Sequence, residues 1–125
     1  KNNLSEQVRI INFQNNPFNL IKSSDVFVLT SLYEGLPNVL LEAQVLKKFI
    51  ISSNCPTGPR EILLNGKAGF LFKVGDYKKL SDLILNYSKN KKKFSKKIQI
   101  GYKNLDRFDY KKNLDNYLKI IYSLI

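Results

Sequence analysis

Apolar and polar positions along this chain switch between two periods, one suited to strands and the other to helices. Val8-Arg9-Ile10-Ile11 reads as a short strand, and Phe13-Gln14-Asn15-Asn16-Pro17 as the turn that leaves it, with Asn and Pro supplying the turn chemistry. Phe18 to Ser24 spaces Phe18, Ile21 and Lys22 for one face of a short helix. Asp25 then opens Val26-Phe27-Val28-Leu29-Thr30, a continuous apolar run that suits a strand buried on both faces, as in a parallel sheet. Ser31 to Leu36 breaks the pattern as a loop. Pro37 sits where a first helical residue belongs, because its fixed φ suits the helix and its missing N–H is no loss. The helix it starts runs to about Leu46, with Val39, Leu40, Ala43 and Leu46 or Val45 facing inward.

Phe49-Ile50-Ile51-Ser52 is the next strand and Cys55-Pro56-Thr57-Gly58-Pro59 a rigid loop. Arg60 to Leu64 forms a short helix closed by Asn65-Gly66, and Gly69-Phe70-Leu71-Phe72 a fourth strand. After Gly75-Asp76 come three helical segments, roughly 77–88, 91–104 and 110–124. Leu80, Leu83, Ile84 and Tyr87 stripe the first; Leu114, Tyr117, Leu118, Ile121 and Ile125 stripe the last. Strands alternating with helices predict an α/β fold, a Rossmann-like parallel sheet with flanking helices and carboxy-terminal helices. Four strands are few for a doubly wound domain. With no Met anywhere and Lys1-Asn2-Asn3-Leu4 at its start, the sequence is expected to be a piece of a longer protein. It reads as one domain over 1–125, an α/β core at 1–76 and a basic helical segment at 77–125.

Composition narrows the chemistry. The 125 residues are 43% hydrophobic, enough for a core, and no apolar run approaches the roughly 20 residues of a membrane span. A single cysteine, Cys55, excludes a disulfide framework and reads as inert packing. The absence of histidine removes Ser-His-Asp, Cys-His and His-metal mechanisms that this chain could run alone. Net charge is +11, and the excess is uneven: eight Lys/Arg against six Asp/Glu in residues 1–76, thirteen against four in 77–125. A basic segment suits phosphates of nucleic acid or an anionic membrane, or simply solvates terminal helices. Only three of these cations are Arg, the residue that nucleic-acid readers favour.

The informative stretch is Ser31-Leu32-Tyr33-Glu34-Gly35-Leu36-Pro37-Asn38-Val39-Leu40-Leu41-Glu42-Ala43. It joins the carboxyl end of a strand to a helix start, where open α/β sheets bind ligands. Gly35 lets the backbone approach a ligand closely. The free N–H groups of the first helical turn, around Pro37 to Leu40, favour an anion. Glu34 precedes them, and Glu42 lies roughly 6–8 Å along the axis from the helix start. Two acceptors flanking a row of donors suit a ligand with hydroxyls at both ends and phosphate between, such as a nucleotide sugar. Carboxylates near a helix N-terminus can equally be simple dipole partners.

This stretch closely resembles the E-x7-E motif of retaining glycosyltransferases of family four, which have the two-domain GT-B fold. The resemblance continues through Ser53-Asn54-Cys55-Pro56-Thr57-Gly58-Pro59-Arg60-Glu61-Ile62 and Asn65-Gly66-Lys67-Ala68-Gly69-Phe70-Leu71. It implies part of a GT-B carboxy-terminal domain, binding a nucleotide diphosphate sugar (UDP-sugar above all) and transferring the sugar with retention. Glu34 would lie beside the donor sugar as the catalytic carboxylate and Glu42 would bind the ribose hydroxyls. Gly35, Leu36, Pro37, Asn38 and Val39 would line the sugar and diphosphate, and Phe13 and Gln14 the nucleobase. Pro56 to Glu61 is expected as a structural loop and helix cap, and Asp25 as a turn residue.

The resemblance further implies no metal and no cofactor. It implies a glycan or lipid-linked acceptor reached through an amino-terminal domain, and a setting in bacterial polysaccharide assembly. That setting places the chain in the cytoplasm, with peripheral contact to an anionic membrane and no nucleic acid. The family's diphosphate-binding cations come from a strand and helix upstream of this sequence, so the fragment alone is expected to be inactive. The competing reading is a non-catalytic basic module for RNA or an anionic membrane, with Tyr87, Phe94, Tyr102, Phe108 and Tyr110 interleaved among the lysines.

Overall fold

The structure, a computed structural model, describes Leu4 and residues 6–124. Three parallel strands, β1 (Val26–Leu29), β2 (Phe49–Ser53) and β3 (Phe70–Phe72), form one sheet in the order β1-β2-β3. Val26 pairs with Phe49 and Ile51 with Phe70 in the two registers. The helices are α1 (Phe18–Ser23), α2 (Asn38–Val45), α3 (Pro59–Ile62), α4 (Tyr77–Lys89), α5 (Ser95–Asn104) and α6 (Tyr110–Ser123). Short 3-10 turns at Lys91–Phe94 and Leu105–Phe108 lead into and out of α5.

Side chains alternate across β2 and build a core on each face of the sheet. Ile50 packs with Ile21, Leu40, Ala43, Ile62, Leu63 and Ala68 beneath α1, α2 and α3. Phe49 and Ile51 pack with Phe72, Leu83, Tyr87 and Phe94 beneath α4 and the turn that follows. The ring of Phe49 stacks on Tyr87 at 4.4 Å and meets Phe70 edge-on at 5.1 Å. The α4 stripe therefore packs as its spacing predicts, and Asp76 caps the helix by accepting the Lys79 N–H at 2.9 Å.

Four expectations are corrected. Residues 8–11 are not a strand: Ile10 is 91% exposed, and β1 pairs with β2 alone, so an apolar run without a ladder partner stays irregular. The described sheet thus has three strands rather than four. β1 is packed on both faces, Phe27 and Leu29 against one core and Val26 and Val28 against the other, but as the edge strand it is only half-buried, and β2 is the fully buried one. In α2 the inward residues are Leu40, Ala43 and Gln44, whereas Val39 and Val45 are exposed.

The fourth correction concerns α6. Leu114, Tyr117, Leu118 and Ile121 lie on one face as their spacing predicts, yet none is buried. Asp109 takes an extended conformation (φ −64°, ψ 121°) that turns α6 away from the sheet. Its hydrogen bonds back to the body are local, from Lys112 to Asp106 and from Asn113 to the Arg107 carbonyl. Ile125 lies outside the described residues.

Asp25, at the turn into β1, pairs with Lys91 at 2.7 Å, and its carbonyl accepts the Tyr87 hydroxyl at 3.1 Å. The ammonium hydrogen-bonded to Asp25 holds its carboxyl below the usual value, and the carboxylate raises Lys91 in turn. A depressed carboxylate stabilises the fold above its unfolded pKa, and that gain is lost as pH falls through the folded one, below about pH 4. The raised Lys91 stabilises below its unfolded pKa and loses that gain above about pH 10.5. Because both side chains are largely exposed, the effect is small and screened by salt. Thermal melts of Asp25→Asn are expected to lie slightly below wild type at pH 7 and to converge with it as pH falls towards 3.

Candidate functional site

β1 ends at Leu29 and α2 begins at Asn38, so residues 30–37 form a loop at the carboxyl ends of the parallel strands. Open α/β sheets take their ligands on this side. Pro37 sits one residue earlier than expected, at the N-cap, with an extended ψ of 93°. No side chain caps the helix, and no acidic residue occupies its first turn. The Leu40 N–H donates to the Pro37 carbonyl at 2.9 Å, so the amides preceding this bond, at Asn38 and Val39, carry the positive end of the dipole. Gly35 and Leu36 lie exposed just before them. A Cβ on Gly35 would meet nothing within 4 Å, so open space lies over this stretch of backbone. Glu42 is half-buried one helical turn further on.

A second segment, following β2, braces the loop. The Ser31 hydroxyl donates to Glu34 Oε1 at 2.6 Å, and the buried Ser53 hydroxyl donates to the Ser31 carbonyl at 2.7 Å. The Thr57 hydroxyl reaches the Glu34 carbonyl. Gly58 is the N-cap of α3, and a Cβ there would lie 2.3 Å from the Gly35 carbonyl oxygen and 2.4 Å from Pro37 Cδ. Pro56 to Glu61 is therefore the structural loop and cap that the sequence suggests. Its contacts with Glu34 and Gly35 were not foreseen, because hydrogen bonds across more than twenty residues leave no periodic trace.

Phe13 and Gln14 lie in the irregular stretch before α1. Phe13 is 89% exposed, and the hydrogen bonds of Gln14 go to the carbonyls of Asn12 and Phe13 in its own loop. Grooves of about 310 Å³, over Lys47, Ile98 and Tyr102, and about 450 Å³, along Ser88–Lys93, lie away from the 31–42 segment. Of the aromatics interleaved with lysines, Tyr87 and Phe94 are buried against Phe49 and Phe108 packs on the α2 side of the sheet. Only Tyr102 and Tyr110 of that set are exposed, with the Lys47 ammonium over the Tyr102 ring at 4.6 Å. Three of those five rings are thus spent on the core. Among the described residues, no three His, Cys, Asp or Glu gather to hold a metal ion, and no helix is long and apolar enough to cross a membrane.

The family model described as glycosyl transferases group 1 matches residues 1–104. The chain is 51% identical over 63 residues to an uncharacterized glycosyltransferase of Methanocaldococcus jannaschii, a match covering 50% of this chain and 16% of the relative. It is 32% identical over 118 residues to the UDP-Gal:alpha-D-GlcNAc-diphosphoundecaprenol alpha-1,3-galactosyltransferase of Escherichia coli, covering 90% of this chain and 30% of that one. Among solved structures it superposes with a TM-score of 0.67 on the C-terminal domain of a group 1 glycosyl transferase from Francisella tularensis. That match has 23% identity and covers 80% of this chain and 51% of that one. The chain thus spans under a third of the length of both sequence relatives, and the α/β architecture expected from the strand and helix alternation is that of GT-B transferases.

Proposed function

We propose that this chain, which belongs to the group 1 glycosyl transferases, supplies the donor site of an enzyme that moves a sugar from a nucleotide diphosphate. A UDP-sugar is the expected donor. The observation that carries the reading is the open, uncapped start of α2, flanked by Glu34 and Glu42 at the carboxyl end of β1. Glu42 accepts from the ribose hydroxyls. The amides from Gly35 to Val39, around Pro37, face the diphosphate. Glu34 holds the sugar and acts as the catalytic carboxylate in transfer with retention.

Negative charge grows on the diphosphate as the sugar departs. Amides already oriented at a helix start stabilise that charge without reorganising, which lowers the barrier. Phe13 and Gln14, on an exposed loop, line the nucleobase. The acceptor is a glycan or a lipid-linked glycan, as the name of the Escherichia coli relative indicates for that protein. The enzyme works in the cytoplasm, and the lysines of 77–125 hold it against an anionic membrane.

Protein-observed NMR with UDP-galactose, UDP-N-acetylglucosamine and a short RNA tests the reading. UDP-sugars are expected to shift Gly35, Asn38 and Glu42. Glu42→Ala is expected to weaken binding about 10- to 100-fold, the loss of hydrogen bonds to a charged group. Gly35→Ala should leave the melting temperature unchanged yet weaken the same donors, because its added methyl enters the open space. Shifts confined to the lysines beyond Asp76, and seen only with RNA, would favour the basic-module reading instead.

A further inference from the structure

We propose that Thr57, with Ser53 behind it, is a positioning residue that sets the Glu34 loop for donor binding, an inference that rests on the donor-site reading above. Thr57 has φ +60° and Gly58 φ +73°, so two successive residues take a positive φ. Glycine adopts it freely, whereas a β-branched residue there is a genuine outlier and strained. Asn or Gly would make the same turn without that strain.

What threonine adds is a hydroxyl, and its single proton has two carbonyls in reach, Glu34 and Pro56. The bond to Glu34 ties the site loop to the turn from outside. From inside, the Ser53 hydroxyl, 1% exposed, ties the Ser31 carbonyl, and the Ser31 hydroxyl pins Glu34 Oε1. Glu34 is thereby held at its backbone and at one carboxylate oxygen, leaving Oε2 to accept from a donor hydroxyl. Gly58 permits the close approach that these bonds need, since any Cβ would strike Gly35 and Pro37.

Three variants separate the hydroxyl from the backbone strain: Thr57→Val keeps the branching and removes the hydroxyl, Thr57→Ser keeps the hydroxyl, and Thr57→Gly removes both hydroxyl and strain. Amide hydrogen exchange at Leu40 and Ile62, whose N–H groups donate to the Pro37 and Gly58 carbonyls at the two ends of the brace, and titration with UDP-N-acetylglucosamine and UDP-galactose, are measured on each. The expected result is exchange faster by about tenfold in Thr57→Val and Thr57→Gly, with donor binding weaker by about the same factor. Thr57→Ser should restore both. Thr57→Gly also covers the case in which Thr57→Val fails to fold. Exchange and affinity like wild type in Thr57→Gly would overturn the proposal, as would a loosened loop that binds donor unchanged. Faster exchange in a chain where both UDP-sugars shift only the lysines beyond Asp76 would overturn the donor-site reading while leaving the brace between the two loops intact.

Discussion

Alanine at Gly58 is expected to lower the melting temperature by about 10 °C and to abolish binding of UDP-sugars, although residue 58 touches no ligand in the proposed site. Two effects add. An L-residue at φ +73° costs about 1 kcal/mol relative to glycine. The new Cβ would also lie 2.3 Å from a backbone oxygen and 2.4 Å from a proline ring, neither of which can swing aside as a flexible side chain would. Relieving that overlap means moving the 31–37 loop or the α3 start, a further cost of about 1–3 kcal/mol, as for overpacked cores. A total of about 2–4 kcal/mol corresponds to roughly 10 °C for a domain of this size. Gly66→Ala isolates the first effect. Gly66 has φ +88°, but its Cβ would come no closer than 3.9 Å to any neighbour, so only about 1 kcal/mol is expected there. Differential scanning calorimetry of the two variants checks the difference.

Phe49→Ala is expected to be the most destabilising single truncation in the sheet, at about 3–5 kcal/mol. Phe49 is fully buried on the central strand, stacked on Tyr87 and in edge or tilted contact with Phe70 and Phe94. Its removal leaves a cavity that three rigid rings cannot collapse into, and aromatic pairing worth about 0.5–1.5 kcal/mol per pair goes with it. Against the 5–15 kcal/mol typical of whole domains, the loss is large enough for much of the population to unfold near 37 °C. Phe49→Leu, which keeps most of the volume, should cost under about 2 kcal/mol. Urea denaturation followed by tyrosine fluorescence measures both, and a cost for Phe49→Ala below that of Phe49→Leu would contradict the packing described.

Much of this architecture was legible in the sequence where pattern and packing agree. The β2 run Phe49–Ser52 and the α4 stripe of Leu80, Leu83, Ile84 and Tyr87 sit where their periods place them, because each has a partner surface within the chain. Periodicity misled where the partner is lacking. Val8–Ile11 has strand composition without a ladder neighbour, and the α6 stripe has helical spacing without a surface to cover. The loop carrying Glu34 was legible because Gly35 and Pro37 punctuate it locally. Its bracing by Ser53, Thr57 and Gly58 was not, because those contacts depend on how β1 and β2 align, a property of the folded sheet.

The most direct test is a crystal structure of the chain with UDP bound. The predicted result places the ribose hydroxyls within hydrogen-bond distance of the Glu42 carboxylate and the diphosphate against the amides of residues 35–39. UDP bound instead along the lysines of residues 89–97, with the α2 start empty, would contradict it.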